Sequence, residues 1–182
     1  ENNWTYQAEL NWRTWHIERY GFFASRPVEY EKNVVSGFYE DLNVQWQISD
    51  ITFDEGALIA TEVYHTTVQI IQLPFEIPSF SMEKEQFADR VLELAGLGDI
   101  DFETHDKFSK KFLLHGESKE AITKFFNTKL KDFFVNHKVY HLESDGNSLM
   151  LFKYFRLASF ENINKMIGFG HDLSKVLLES SK

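Results

Sequence analysis

The stretch Val139-Tyr140-His141-Leu142-Glu143-Ser144-Asp145-Gly146-Asn147-Ser148-Leu149-Met150-Leu151-Phe152-Lys153-Tyr154-Phe155 carries the reading of the fold. Asp145-Gly146 separates two β-prone runs, Val139–Glu143 and Ser148–Phe155. In that setting the pair predicts a tight hairpin, because the turn needs positive φ and glycine reaches it without a Cβ penalty. The second run is apolar on both faces, with Leu149 and Leu151 alternating against Met150 and Phe152. Such a strand belongs inside a sheet, covered from both sides.

Downstream, Ser159 is a good helix N-cap, and Ile163, Met166, Ile167, Leu173 and Leu177 repeat at helical spacing behind it. A long C-terminal helix must bury that stripe on the sheet. Gly168 and Gly170 fall inside it, each costing about 1 kcal/mol relative to alanine, so they mark close packing or a break.

Upstream, Ser118 caps a helix with Ile122, Phe125, Phe126, Leu130, Phe133 and Phe134 on its apolar side, and Phe112–His115 reads as a strand. Ser81 is read as another N-cap, with Glu83 and Glu85 in the first turn and Phe87, Val91, Leu94 and Ala95 on one face before Gly96. Before it lies a meander: Asn33–Tyr39, a turn at Glu40–Asn43, Val44–Phe53, a turn at Asp54-Glu55-Gly56, then Leu58–Tyr64 and Thr66–Leu73. Pro74 and Pro78 close the strand region, since proline cannot donate to a ladder, and Phe75–Phe80 is an apolar loop. The alternation of Trp4, Tyr6, Ala8, Leu10 and Trp12 has a strand period, whereas residues 10–20 favour a helix ending at Gly21.

Short turns between successive strands make the pairing antiparallel. The fold class is therefore α+β: a mainly antiparallel sheet, helices packed on one face, and a long C-terminal helix. The 182 residues fit a single domain, 1–182, with residues 1–9 as a loose or strand-like lead-in. Hydrophobic residues make up 43% and aromatic residues 16%, including 18 Phe, which suits a ring-rich core.

The absence of cysteine excludes thiol catalysis, thiolate metal sites and disulfides, and leans toward a reducing compartment. A net charge of −9 argues against nucleic acid and against anionic lipid as the main partner. The charge is uneven. Residues 1–106 hold 20 acids and 6 bases, and residues 107–182 hold 8 acids and 13 bases. Lys107, Lys110, Lys111, Lys119, Lys124, Lys129, Lys131 and Lys138 crowd the basic part, as solvated helix surface or as a docking face.

No motif assembles a reaction. Asp99, Asp101, Glu103 and His105 alternate, so an extended segment would put all four on one face and offer oxygen ligands to a hard cation. The calcium-loop pattern fails there, with Thr104 and Lys110 at the positions that require Gly and Glu. A solvated acidic edge is the plainer reading, and no metal or cofactor is expected. His137 and His141 stand four apart, which on a strand separates them by about 13 Å, too far to chelate as a pair. His115-Gly116-Glu117 closes a strand without a nucleophile beside it. Gly168-Phe169-Gly170-His171 lacks the third glycine and preceding strand of a phosphate loop. No Gly-x-Ser-x-Gly occurs, and Asn3-Trp4-Thr5 reads as a chance glycosylation match.

Across residues 11–180, Trp12, Trp15, Tyr20-Gly21-Phe22, Asn33-Val34-Val35-Ser36-Gly37-Phe38-Tyr39, Leu73-Pro74, Pro78-x-Phe80, Phe102-Glu103, Phe108, Phe112 and the Asp145-Gly146 hairpin form a succession. It resembles uncharacterised bacterial domains that follow one or two N-terminal transmembrane helices. That resemblance implies a membrane-tethered protein and carries over no site residue; the soluble domain is expected on the cytoplasmic side. A chain opening on Glu1 suits an upstream anchor. The leading expectation is a non-enzymatic interaction or sensing domain with a protein partner or small ligand, meeting a membrane only through that anchor. An apolar small-molecule binding domain is the alternative. A hydrolase-type enzyme built on His115, His141 or the Asp99–His105 cluster comes third.

Overall fold

The computed structural model describes residues 3–9, 17–54, 62–84, 100–102, 105–138, 140–153 and 155–180. Its strands are β1 (Thr5–Glu9), β2 (Val28–Tyr39), β3 (Val44–Asp54), β4 (Val63–Gln72), β5 (Phe80–Lys84), β6 (Phe112–His115), β7 (His141–Asp145) and β8 (Ser148–Phe152). Its helices are α1 (Gly21–Ala24), α2 (Asp106–Ser109), α3 (Lys119–Phe125), α4 (Thr128–Asn136) and α5 (Phe160–Ser180). The strands form one sheet in the order β1-β2-β3-β4-β8-β7-β5-β6, every neighbouring pair antiparallel. The expected α+β class is what the chain adopts.

The hairpin forms where Asp145-Gly146 places it, with Gly146 at φ 63°. β8 lies between β4 and β7 and is buried along its whole length, as its two apolar faces require. Leu149 and Leu151 enter the larger core with Trp46, Ile71, Leu142, Leu173 and Leu177, under α2, α3, α4 and α5. Met150 and Phe152 enter a second core on the opposite face, with Ile51, Phe53, Val68 and Ile70. That second face is covered by a 3-10 turn, Ile17–Arg19, and by α1, through Ile17, Tyr20, Phe22 and Phe23.

Long-range pairing overrode several local signals. Residues 10–16 of the expected first helix lie outside the described residues, and Gly21 opens α1 instead of ending a helix. Val63–Gln72 runs as one strand, without the break expected at His65. Ser81 does not cap a helix: Phe80–Lys84 is β5, wedged between β6 and β7, while residues 85–99 lie outside the described residues. Two open strand edges offer more hydrogen bonds than one cap, and Phe80 and Met82 reach the main core only in the extended form. The expected helix after Ser118 becomes two. Ser118 Oγ accepts from Ala121 N, the chain turns at Phe126, and Asn127 Oδ1 caps α4 by accepting from Leu130 N. At the far end of α4, Lys111 Nζ donates to the Val135 carbonyl at 2.6 Å, closing its last turn.

α5 is continuous through both glycines, capped at its start by Ser159 Oγ, which accepts from Asn162 N. Gly170 marks a close approach. A Cβ there would meet Gln69 Nε2 and Ile71 Cδ1 at 2.9 Å, and the Tyr39 hydroxyl closer still. Gly168 faces open space. Among the described residues no helix is long and apolar enough to cross a membrane.

Candidate functional site

At the foot of α5 the chain builds a small, shallow cleft lined by Thr67, Lys138, Tyr140, Lys153, Arg156, Ala158, Asn162, Lys165 and Met166. Its four cations come from three separate stretches: Lys138 behind α4, Lys153 and Arg156 behind β8, and Lys165 on α5. Tertiary structure brings them together. The floor is fixed. Thr67 Oγ1 on β4 accepts the Ala158 N–H at 2.8 Å and donates to Asp50 Oδ1 at 2.6 Å, so the segment entering α5 is pinned to the sheet. Tyr140 packs its ring on Phe169, 4.7 Å between centroids. Lys165 pairs with Glu161 one turn earlier on α5. Lys138, Lys153, Arg156 and Lys165 make the described lining of the cleft basic, and N–H donors of that kind suit a phosphate or carboxylate.

The segment entering α5 also carries apolar side chains into solvent. Leu157 is 50% exposed and Phe160 77%. Periodicity could not show this, because both read as ordinary apolar residues until the α5 stripe settles on the sheet.

A second polar cluster lies on the opposite sheet face, beneath α1. Glu83, His141 and Glu143 come from β5 and β7, with side chains no more than 8% exposed. His141 Nε2 meets Glu143 Oε1 at 2.7 Å, and His141 Nδ1 stands 4.0 Å from Glu83 Oε2. Both Glu143 oxygens also accept the Phe22 N–H. Phe22 and Phe152 rings enclose the imidazole. Burial pushes the Glu83 carboxyl above the ordinary carboxylate range, against the attraction of His141 and His115. Glu83 Oε2 and the nearby Ser81 Oγ are buried without a hydrogen-bond partner among the described residues. A histidine held by one carboxylate is the orienting half of an acid–base pair. Here that carboxylate is spent on the α1 backbone and rings cover the imidazole, so the cluster acts as a latch for α1. Beside it, Arg19 pairs with Asp145 at 2.6 Å and Tyr20 donates to Ser148 at 2.7 Å.

The other sequence candidates do not converge. Asp99 and Glu103 lie outside the described residues. Asp101 is exposed, and His105 turns toward Asp132 on α4 at 3.0 Å. Among the described residues no group of three or more acids, histidines or cysteines is placed to hold a metal ion. His137 is not on a strand. It follows α4, stacks on Phe133 at 4.0 Å and donates through Nδ1 to the Phe133 carbonyl. His115 ends β6 within electrostatic reach of Glu83. His171, beside Gly170, pairs with Asp41 in the β2–β3 turn at 3.0 Å.

No protein-family model matches the chain, and no curated protein does. Among the described residues, fold and site together define an eight-stranded antiparallel α+β domain with a cleft lined by basic residues at the start of its last helix. A solved structure shares that fold. The chain is similar to the crystal structure of the mycobacterial trehalose monomycolate transport factor A, with a TM-score of 0.59 at 12% identity, over 96% of this chain and 86% of that one.

Proposed function

We propose that this chain is a non-enzymatic interaction domain of a membrane-tethered bacterial protein, and that its contact site is the cleft at the foot of α5, which takes an anionic group. One observation carries the reading: Lys138, Lys153, Arg156 and Lys165 converge on one open cleft in a chain of net charge −9. Basic groups gathered on one cleft against the overall charge balance support recognition of an anion. The transport factor of similar fold is named for an amphiphile, which supports a ligand with a polar head and an apolar body. The main core is filled by ring-on-ring contacts such as Phe108 with Phe112 and Phe126 with Phe134, which favours recognition at the surface over an enclosed apolar ligand.

The test is an amide NMR titration with sn-glycerol 3-phosphate. Saturable shifts are expected over Lys153–Lys165, and the double variant Lys138→Gln/Arg156→Gln should lose them while keeping the parent spectrum elsewhere. Absence of saturable shifts in the parent overturns the reading.

A further inference from the structure

We propose that His171 is a proton-operated clamp between α5 and the β2–β3 turn: its imidazolium ties Asp41 in that turn to Asp172 on the helix, and the neutral ring lets the turn go. Both ring nitrogens face carboxylates. Nε2 lies 3.1 and 3.0 Å from the two oxygens of Asp41, and Nδ1 lies 3.4 Å from Asp172 Oδ1. A neutral imidazole carries one N–H and one lone pair, so in either tautomer one nitrogen turns its lone pair on a carboxylate. Only the doubly protonated ring donates on both sides. His105 differs, with Asp132 at Nε2 and no hydrogen-bond partner at Nδ1 among the described residues.

The groups around the ring come from three elements. The turn supplies Asp41, preceded in the chain by Glu40; β2 supplies Tyr39, edge-on to the imidazole at 5.3 Å; and α5 supplies Asp172 and Lys175. Burial disfavours the charged ring, but the two carboxylates outweigh it and leave His171 above the ordinary histidine value. Asp41 is held below the ordinary carboxylate range, first by its hydrogen bond to His171, with Lys175 adding to it. The clamp is therefore complete below the ordinary histidine value and is lost as pH rises through the raised one. Once the proton leaves, two like charges stand across a neutral ring and push the turn off the helix. The helix stays seated. Tyr39 Oη still donates to the Ile167 carbonyl, and Leu173 and Leu177 remain buried in the main core. The proton works on the turn and not on α5.

An NMR titration of the full chain tests this, across the pH range in which histidine changes charge. The His171 ring protons should titrate above the ordinary histidine value. The Asp41 and Leu42 amides should lose backbone order through the same midpoint, while the Leu173 amide keeps its own. Asp41→Asn alters an exposed side chain and should lower the His171 midpoint by about half a pH unit or more. His171→Gln keeps a donor without the titrating charge, so the order of its turn should no longer change with pH, on a spectrum otherwise like that of the parent. If the parent turn holds its order through the His171 midpoint, the clamp does not exist. If Asp41→Asn leaves the midpoint where it was, or the His171→Gln turn still responds to pH, the ring is not what holds the turn and the inference falls.

Discussion

Glu143 on β7 accepts the backbone N–H of Phe22 on α1 with both carboxylate oxygens, at 3.0 and 3.2 Å, across 121 residues of chain. The same carboxylate holds His141. Removing it strands a buried N–H and a buried imidazole together. Glu143→Ala is expected to cost about 3 kcal/mol or more in urea melts. Glu143→Gln, which keeps a carbonyl oxygen for Phe22, should cost less than half of that. Hydrogen exchange at the Phe22 amide should accelerate more than at β8 amides; equal acceleration would show that the bond is not a local latch.

Glu83 sets a pH dependence. Its folded pKa lies above the unfolded one because burial disfavours the carboxylate. Between those two values the folded chain keeps a proton that the unfolded chain has lost. Its contribution to stability is therefore complete below the ordinary carboxylate range and is lost as pH rises through the raised value. Glu83→Gln should stabilise the protein at neutral pH and have little effect at acid pH, measured by urea melts across that range. A variant less stable at neutral pH would mean that attraction to His141 outweighs desolvation.

The two α5 glycines should respond in opposite directions. Gly170→Ala forces a Cβ against Tyr39, Gln69 and Ile71, and the Tyr39 hydroxyl is committed to both Gln69 and the Ile167 carbonyl. Overpacking of that kind is expected to cost about 1–3 kcal/mol. Gly168→Ala meets nothing and removes a flexible helix position, so a gain of up to about 1 kcal/mol is expected. Thermal melts of the two single variants decide it, and equal effects would refute the close-packing assignment.

The centre of the sheet supplies the reference. Leu151 and Phe152 sit on opposite faces of β8, in the two separate cores. Either residue changed to alanine should cost about 2–5 kcal/mol. Lys175→Ala, on the exposed side of α5, should stay within about 0.5 kcal/mol. If both core variants melt like the parent, β8 is not the strand that joins the cores.

The hairpin, the two-faced strand β8 and the α5 stripe were legible in the sequence because each is encoded locally. Turn chemistry, a period of two and a period near 3.6 act within a few residues, and with them came the α+β class. β5 was not legible. Phe80–Lys84 carries a helix-start signal at Ser81, and only the open edges of β6 and β7 made extension the better solution. The break at Phe126 was hidden for a similar reason, since Phe125 and Phe126 keep helical spacing and both pack on Phe80, while Phe126 also reaches Phe134 across the turn. The sites belong entirely to tertiary structure. Lys138, Lys153, Arg156 and Lys165 are scattered basic residues until β8, the end of α4 and the start of α5 meet beside Thr67. Glu83 reads as a helix-start acid and Glu143 as an ordinary strand acid until β5 and β7 pair. Local periodicity settles which side of an element is buried; charge acts through space, so only the folded chain decides which charges are neighbours.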